Sequence, residues 1–317
     1  MNLTVSISGR AKIWIALLSC LFGTGIIIDL MIPEQPSLIR WDNYNLAVSL
    51  FIGIKWSLFI ALLSMLIAMV TGIALGLVAG YFQNSTYHVS KLRIIWVAVT
   101  LFCCCFYGVY INSTFQNASS FVIVLTILIT IGISRLLWWP IAKFIKPKRT
   151  TILPVDSLIS QAIEIMNSTP KIIIIVVLAA VVQQSSIGML IWIIGLTSWT
   201  GIARIMRAET LKCKEQFYVE SAKALGLKNR IILLKHILPN TIKPVLVIIS
   251  FGIGSVILIE SSLSFLGIGV SRETITLGKI IAYGKDHIDH WELVVLPGFA
   301  IFVIVYGLNR LARQLKI

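Results

Sequence analysis

Residues 48–79 contain a single charged residue, Lys55. An apolar run of this length constrains the chain more than any other feature. A helix needs about 20 apolar residues to cross a bilayer. Comparable stretches lie at 12–31, 92–111, 119–139, 171–190, 187–205, 243–265 and 290–309. Hydrophobic residues make up 57% of the chain and charged ones 13%, with mean hydropathy +0.93. A soluble domain has no use for so much apolar surface, so the bilayer is the solvent. The sequence predicts an all-α polytopic membrane protein. Within 171–205, the four polar residues Gln183-Gln184-Ser185-Ser186 are too expensive for mid-bilayer. Two short spans broken there are expected rather than one long one.

The first span has a long apolar stretch followed by Met31-Ile32-Pro33-Glu34, not by a small-x-small cleavage site. It is expected to stay as an anchor.

The net charge of +14 invites a nucleic-acid reading, but its distribution argues against one. Basic residues cluster at Arg10 and Lys12, Lys91 and Arg93, Lys143 to Arg149, Arg204 to Lys243, and Arg310 to Lys316. Placing these clusters inside fits alternate crossings with both termini cytoplasmic. Contact with anionic lipid is compatible with that topology. The five cysteines do not form a disulfide framework. Cys20 and the consecutive Cys103-Cys104-Cys105 lie in spans and Cys213 lies in a loop, so they read as small packing residues.

The loop at 208–240 is long, charged and prone to helix. From Glu209 to Leu225 it has no Pro or Gly. Gly226 allows a left-handed turn at the helix end. Small Ser221, Ala222 and Ala224 permit close approach to a partner, and Phe217, Tyr218 and Leu225 supply apolar anchors. A second short helix, 229–237, is expected to stop before Pro239, with Pro244 near the first turn of the next span. Further along, Glu260 is a rare intramembrane carboxylate, either a hydrogen-bond hub or a substrate contact. Lys171 is expected to snorkel to the headgroups. Gly72, Gly76 and Gly80, four residues apart on one helix face, favour tight helix packing.

Glu220-Ser221-Ala222, Gly226 and Leu238-Pro239 resemble the EAA coupling loop of ABC importer permeases: Glu-Ala-Ala, three residues, Gly, nine residues, Ile-x-Leu-Pro. His236 stands where Ile is expected. Ser261 to Val270 (SSLSFLGIGV), Ser198 to Arg204 (SWTGIAR) and Ala79-Gly80-Tyr81-Phe82 resemble segments of the oligopeptide/dipeptide (and nickel) branch, the OppC/DppC-like binding-protein-dependent transport components. The matches span roughly 46–82 and 160–310.

The resemblance implies an ABC importer type I transmembrane domain with about six core helices plus an inserted helical hairpin. It implies an anchor helix and external segment over 1–45, a core helix at 46–82, and a core permease domain at 157–310. The insert with its basic linker occupies 83–156, and 311–317 forms a cytoplasmic tail. The hairpin at 92–139 reads as peripheral helices. Tyr218, Glu220, Ser221, Ala222, Ala224, Leu225, Gly226, Leu238 and Pro239 would couple to ATPases. Glu220 would orient the loop or pair with a basic ATPase residue, and Ala222 and Gly226 would seat against the ATPase cleft. Glu260, Ser264, Phe265, Leu266 and Gly267 would line the translocation path or gate, with the glycines letting the helix end bend.

The expected function is a permease subunit of a peptide importer in a bacterial inner membrane. Its partners would be a second permease subunit as a heterodimer, two ABC ATPase subunits, an extracytoplasmic substrate-binding protein and membrane lipid. ATP and Mg would sit on the ATPases, since this sequence has no Walker A pattern. No cofactor or metal is expected on this chain, and it is not expected to be an enzyme. A nickel or metal-chelate permease is the alternative, although His287 and His290 alone are weak evidence for a metal. An intramembrane enzyme would need facing catalytic groups, and none is visible. A stand-alone ion-coupled transporter would need several embedded acids or inverted repeats.

Overall fold

The computed structural model describes residues 9–31, 43–83, 88–90, 129, 132, 134, 136, 150–152, 154–182, 186–269, 274–287 and 289–314. Two compact units emerge, one from Met1–Tyr81 with Ile159–Ile317, the other from Phe82–Leu158. In the second unit, β1 (His88–Ser90) pairs antiparallel with β2 (Thr150–Ile152), His88 opposite Ile152. Among the described residues, this short ladder is the exception to an otherwise all-α fold. Ile129, Gly132, Ser134 and Leu136 are helical. The rest of the expected hairpin at 92–139, Cys103 to Cys105 and the basic linker Lys143 to Arg149 lie outside the described residues.

The first unit is helical. α1 (Gly9–Met31) and α2 (Asn43–Phe82) precede the insert, and α3 (Val155–Ser168) follows it. Then come α4 (Lys171–Val182), α5 (Ile187–Lys214), α6 (Phe217–Ala224) and α7 (Asn229–Ile231). A π-helical stretch, Ile232–Ile237, runs into α8 (Leu238–Phe265), followed by α9 (Leu277–Lys285) and α10 (Glu292–Gln314). Among the described residues, four helical rods are long and apolar enough to cross a membrane: Leu46–Phe82, Ile187–Lys214, Asn229–Phe265 and Glu292–Gln314. Helix α8 packs on α5, α9 and α10, while α1 lies on α10 and α4 on α5.

The region 171–205 breaks where expected. Ser186 caps α5, its hydroxyl accepting from the Met189 N–H at 3.2 Å. The expected span at 171–190 is corrected, however. Helix α4 has 12 residues, about 18 Å of rise, which is short of the roughly 30 Å hydrocarbon core. It is joined to α3 at an 88° bend. Proline at position 170 disfavours helical backbone in Thr169 before it, which explains the location of the break.

A tight seam lies between α2 and α5. Ser57, Ala61, Ser64, Ala68, Gly72, Gly76 and Gly80 form a buried line of small residues along α2. A Cβ at Gly76 would stand 2.6 Å from the Ala203 carbonyl oxygen and 2.6 Å from the Met206 Cβ. At Gly72 it would meet Ile202 at 2.7 Å, and at Gly80 Thr210 at 2.7 Å. Gly195 reciprocates from α5, set against Ile67 and the Ser64 carbonyl. With lipid as the alternative surroundings, such close packing is the main source of helix association.

Substituting Gly76→Ala therefore lowers stability by about 1–3 kcal/mol, the usual cost of overpacking. Gly201→Ala, where a Cβ meets nothing within 4 Å, does not lower it and gains up to about 1 kcal/mol from helix propensity. Thermal unfolding of the solubilised protein checks this, and equal melting temperatures for the two variants would refute the seam.

Candidate functional site

The segment 208–240 differs in layout from the single helix expected over 209–225. Helix α5 continues through Lys214, turns at Glu215 and Gln216, and a separate eight-residue helix α6 follows. Its inward side is set by Val219 and Ala222, one turn apart and 0% and 4% exposed. Phe217 and Leu225, at its two ends, are 86% and 80% exposed. Glu220, Ser221, Ala224 and Gly226 are exposed, while Leu238 and Pro239 are half-buried. Ala222 corrects the expectation that it seats in a partner's cleft, because it packs into its own chain. Glu220 forms no salt bridge among the described residues.

Gly226 ends α6 as expected. Its φ is +71°, the Gly226 N–H bonds the Lys223 carbonyl at 2.9 Å, and the Leu227 N–H bonds that of Ala222 at 3.2 Å. Those two bonds make a Schellman cap, which needs a residue in the left-handed region. The expected stop before Pro239 does not occur. The chain stays helical from Asn229 to Phe265. The Leu238 N–H reaches back five residues to the Leu233 carbonyl. This widened turn immediately precedes Pro239, which has no N–H to donate and whose ring would crowd an ordinary α-turn.

Side-chain contacts centred on Tyr81 and Tyr218 hold the segment. Tyr81, 6% exposed at the end of α2, donates its hydroxyl to Asn229 Oδ1 at 2.9 Å. The Nζ atoms of Lys214 and Lys223 stand 5.9 and 5.8 Å from its ring centroid, on α5 and α6, which is cation–π range. Sequence reasoning placed Tyr81 in a matching tetrapeptide and gave it no role, because nothing local reveals a partner nearly 150 positions away. Tyr218, 41% exposed overall, brings its hydroxyl to 2.6 Å from Cys213 Sγ. It accepts from Asn240 Nδ2 at 3.2 Å, and the same amide donates to the His236 carbonyl at 2.6 Å. Burial, then the neighbouring Cys213 thiol, push the Tyr218 hydroxyl up to about 12. It therefore stays neutral at physiological pH.

At the far end of α8, Glu260 is 0% exposed. Ser57 donates to its Oε2 at 2.9 Å and Ser264 to its Oε1 at 2.8 Å. Ser57 also accepts from the Leu277 N–H at 3.3 Å, and Thr276 reaches Ser264 at 3.4 Å while capping α9. The carboxylate thus ties α2, α8 and the start of α9 together, and it is enclosed within this chain. Gly278 lets α9 approach, since a Cβ there would lie 2.5 Å from the Ser261 backbone. Among the other expected gate residues, Ser264 is buried, whereas Phe265 and Leu266 are 39% and 57% exposed. Gly267, at φ +75°, stops the helix with a second Schellman cap rather than bending it.

Lys171 is also corrected. Its Nζ donates to Ser198 Oγ on α5 at 3.3 Å instead of reaching out to headgroups. Next to it, Thr200 donates to Asn167 Oδ1 at 3.1 Å. His287 stacks on Tyr283 at 4.4 Å, and His290 Nδ1 lies 3.3 Å from Glu292. Among the described residues, no three His, Cys, Asp or Glu side chains gather as a metal site would require.

Two stability effects follow. Glu260→Ala strands the Ser57 and Ser264 hydroxyls, each at about 1–3 kcal/mol. Glu260→Gln keeps an acceptor and most of the stability. Thermal melts that rank Gln no better than Ala would show that the hydroxyl contacts contribute nothing. Gly226→Ala costs about 1 kcal/mol at the end of α6, from backbone handedness alone, since a Cβ there meets no atom within 4 Å. Faster amide exchange confined to α6 reports it.

The family of binding-protein-dependent transport system inner membrane components matches residues 153–316. The chain is 32% identical over 163 residues to the dipeptide transport system permease protein DppC of Alkalihalophilus pseudofirmus, a match covering 51% of this chain and 53% of that protein. It is 32% identical over 163 residues to the oligopeptide transport system permease protein OppC of Haemophilus influenzae, covering 51% and 52%. To OppC of Salmonella typhimurium it is 33% identical over 153 residues, covering 47% and 50%. The chain spans about half the length of the curated relatives it matches. Since the family match takes in α3 to α10, with the 208–240 loop and the Glu260 hub inside it, this chain belongs to the binding-protein-dependent transport system inner membrane components.

Proposed function

We propose that this chain is a permease subunit of an ATP-driven importer, that it forms half of a translocation path for peptides, and that residues 208–240 couple it to cytoplasmic ATPases. The observation that carries this reading is the exposure of Phe217 and Leu225, 86% and 80%, on a helix whose other face is fixed. Lys214, Glu215, Lys223, Lys228 and Arg230 surround them in sequence, so this end lies in water rather than lipid. Two large apolar side chains displayed there suit burial in a protein cleft. The seat is rigid, because Val219, Ala222 and the Tyr81 contacts anchor α6 and its flanks from below.

In this reading Glu220 pairs with a basic group on the ATPase, while Ser221, Ala224 and Gly226 allow close approach. Ala222 acts from beneath as a packing residue. Tyr218, Leu238 and Pro239 hold the loop to its own helices. Glu260, Ser264 and Gly267 brace the outer end of the path, and Phe265 and Leu266 face it. The partners are a second permease subunit, two ABC ATPase subunits holding ATP and Mg, and an extracytoplasmic binding protein. The chain contributes no ATPase site of its own. Both termini lie on the cytoplasmic side of the bacterial inner membrane. Peptide cargo is favoured because the similar proteins are named as dipeptide and oligopeptide permeases.

Affinity purification from the native membrane tests the reading. The wild type brings down ATPases and a second permease. Gly226→Arg, and the pair Phe217→Ser with Leu225→Ser, keep the second permease and shed the ATPases. For the double variant retention falls by more than about a hundredfold, since each such buried side chain contributes about 1.5–3 kcal/mol. Recovery of a stable chain on its own would overturn the reading.

A further inference from the structure

The joint between α3 and α4 does not look like a simple kink. Asn167, Ser168, Thr169 and Pro170 are all exposed on this chain, and the backbone leaves helical geometry at Thr169 and Pro170 as it turns through 88°. Two rulers place the joint at mid-membrane depth. Helix α4 rises about 18 Å from Lys171 to its end, and Ser198, which Lys171 touches, lies about 17 Å beyond the start of α5. Each is about half of a hydrocarbon core roughly 30 Å thick. Irregular polar backbone at that depth is tolerated only where it is buried in protein or lines water. Here it is exposed, so it faces water or a partner.

The joint also carries a cation. Lys171 Nζ has the neutral Ser198 hydroxyl as its hydrogen-bond acceptor, at 3.3 Å. Among the described residues no carboxylate neutralises it. Exposed Asn167 extends the polar surface, its amide oxygen held by the buried Thr200 hydroxyl, and Thr197 and Ser198 are further buried hydroxyls within the same turn of α5. An ionised group within the membrane is expensive unless it pairs with an opposite charge or serves a water-filled path. An ammonium at the edge of a patch of hydroxyl and amide groups is suited to hold a carboxylate.

We propose that Lys171, backed by Ser198 and flanked by Asn167 and Thr200, forms a cargo subsite in the translocation path that receives a carboxylate, such as the free C-terminus of a peptide. This rests on the permease reading above. The subsite would make Lys171 a specificity-determining residue for carboxylate-bearing cargo.

The test uses the whole transporter in proteoliposomes with its binding protein. The probes are trialanine and its C-terminal amide, each radiolabelled. Wild type takes up the acid faster than the amide. Lys171→Met collapses the acid-to-amide ratio about tenfold, the size of one modest charge contact, and Lys171→Arg restores it. Three results would overturn the proposal. The first is an unchanged ratio in Lys171→Met. The second is equal loss of both probes. The third is a smaller yield of assembled complex with the ratio intact, which would instead pair Lys171 with a carboxylate of the second permease. Failure of wild type to take up either probe under ATP would overturn the peptide-importer reading itself.

Discussion

Everything in the first unit depends on how closely α2 and α5 approach. Their backbones meet along a line on which a single added methyl group would stand 2.6–2.7 Å from its neighbour at Gly72, Gly76 and Gly80. That seam fixes α5, and α5 in turn carries Ser198 for the contact with Lys171 and Cys213 and Lys214 for the loop. In lipid, apolar side chains gain little by leaving the surroundings for each other, so contact geometry decides which helices pair. The exposed aromatic face of α10, with Phe299 and Phe302 above 60% exposed, has no such seam and is suited to lipid.

The polar contacts are arranged with similar economy at both ends of the first unit. Each end uses a Schellman cap on glycine, at Gly226 and Gly267, to turn the chain sharply without a buried side chain. Each end also links α2 to the later helices through one buried side chain. Tyr81 does so beside the loop and Ser57 does so beside Glu260. The buried Glu260 carboxyl is tolerable without a neighbouring cation because hydroxyl donors reach both of its oxygens.

The long elements were legible in the sequence because hydropathy and length report directly on burial in a bilayer. The span read at 48–79 appears within Leu46–Phe82, and that at 243–265 within Asn229–Phe265. Gly72, Gly76 and Gly80 were legible as a packing face because their spacing matches the helical repeat. What escaped the sequence was set by tertiary structure. Lys171 looked like a terminal residue seeking headgroups, since the 88° bend that brings it to Ser198 leaves no mark beyond Pro170. Pro239 looked like a stop, because local rules describe an α-turn and the chain uses a wider one. The split at Glu215 and Gln216 has no Gly or Pro to announce it. Ala222 faces inward because the loop folds back on its own helices, and composition cannot report that.

The unbroken helix from Asn229 to Phe265 joins the loop to the neighbourhood of Glu260 as one solid piece. At 37 residues it is about 55 Å long. A pivot near one end makes it a long pointer: a tilt of about 5° carries the other tip roughly 5 Å, about one helical turn. Two prolines and a π-turn sit at its loop end and none of these lies beyond Pro244. Pliancy is therefore concentrated at the loop end, and the length beyond it toward Gly267 is stiff.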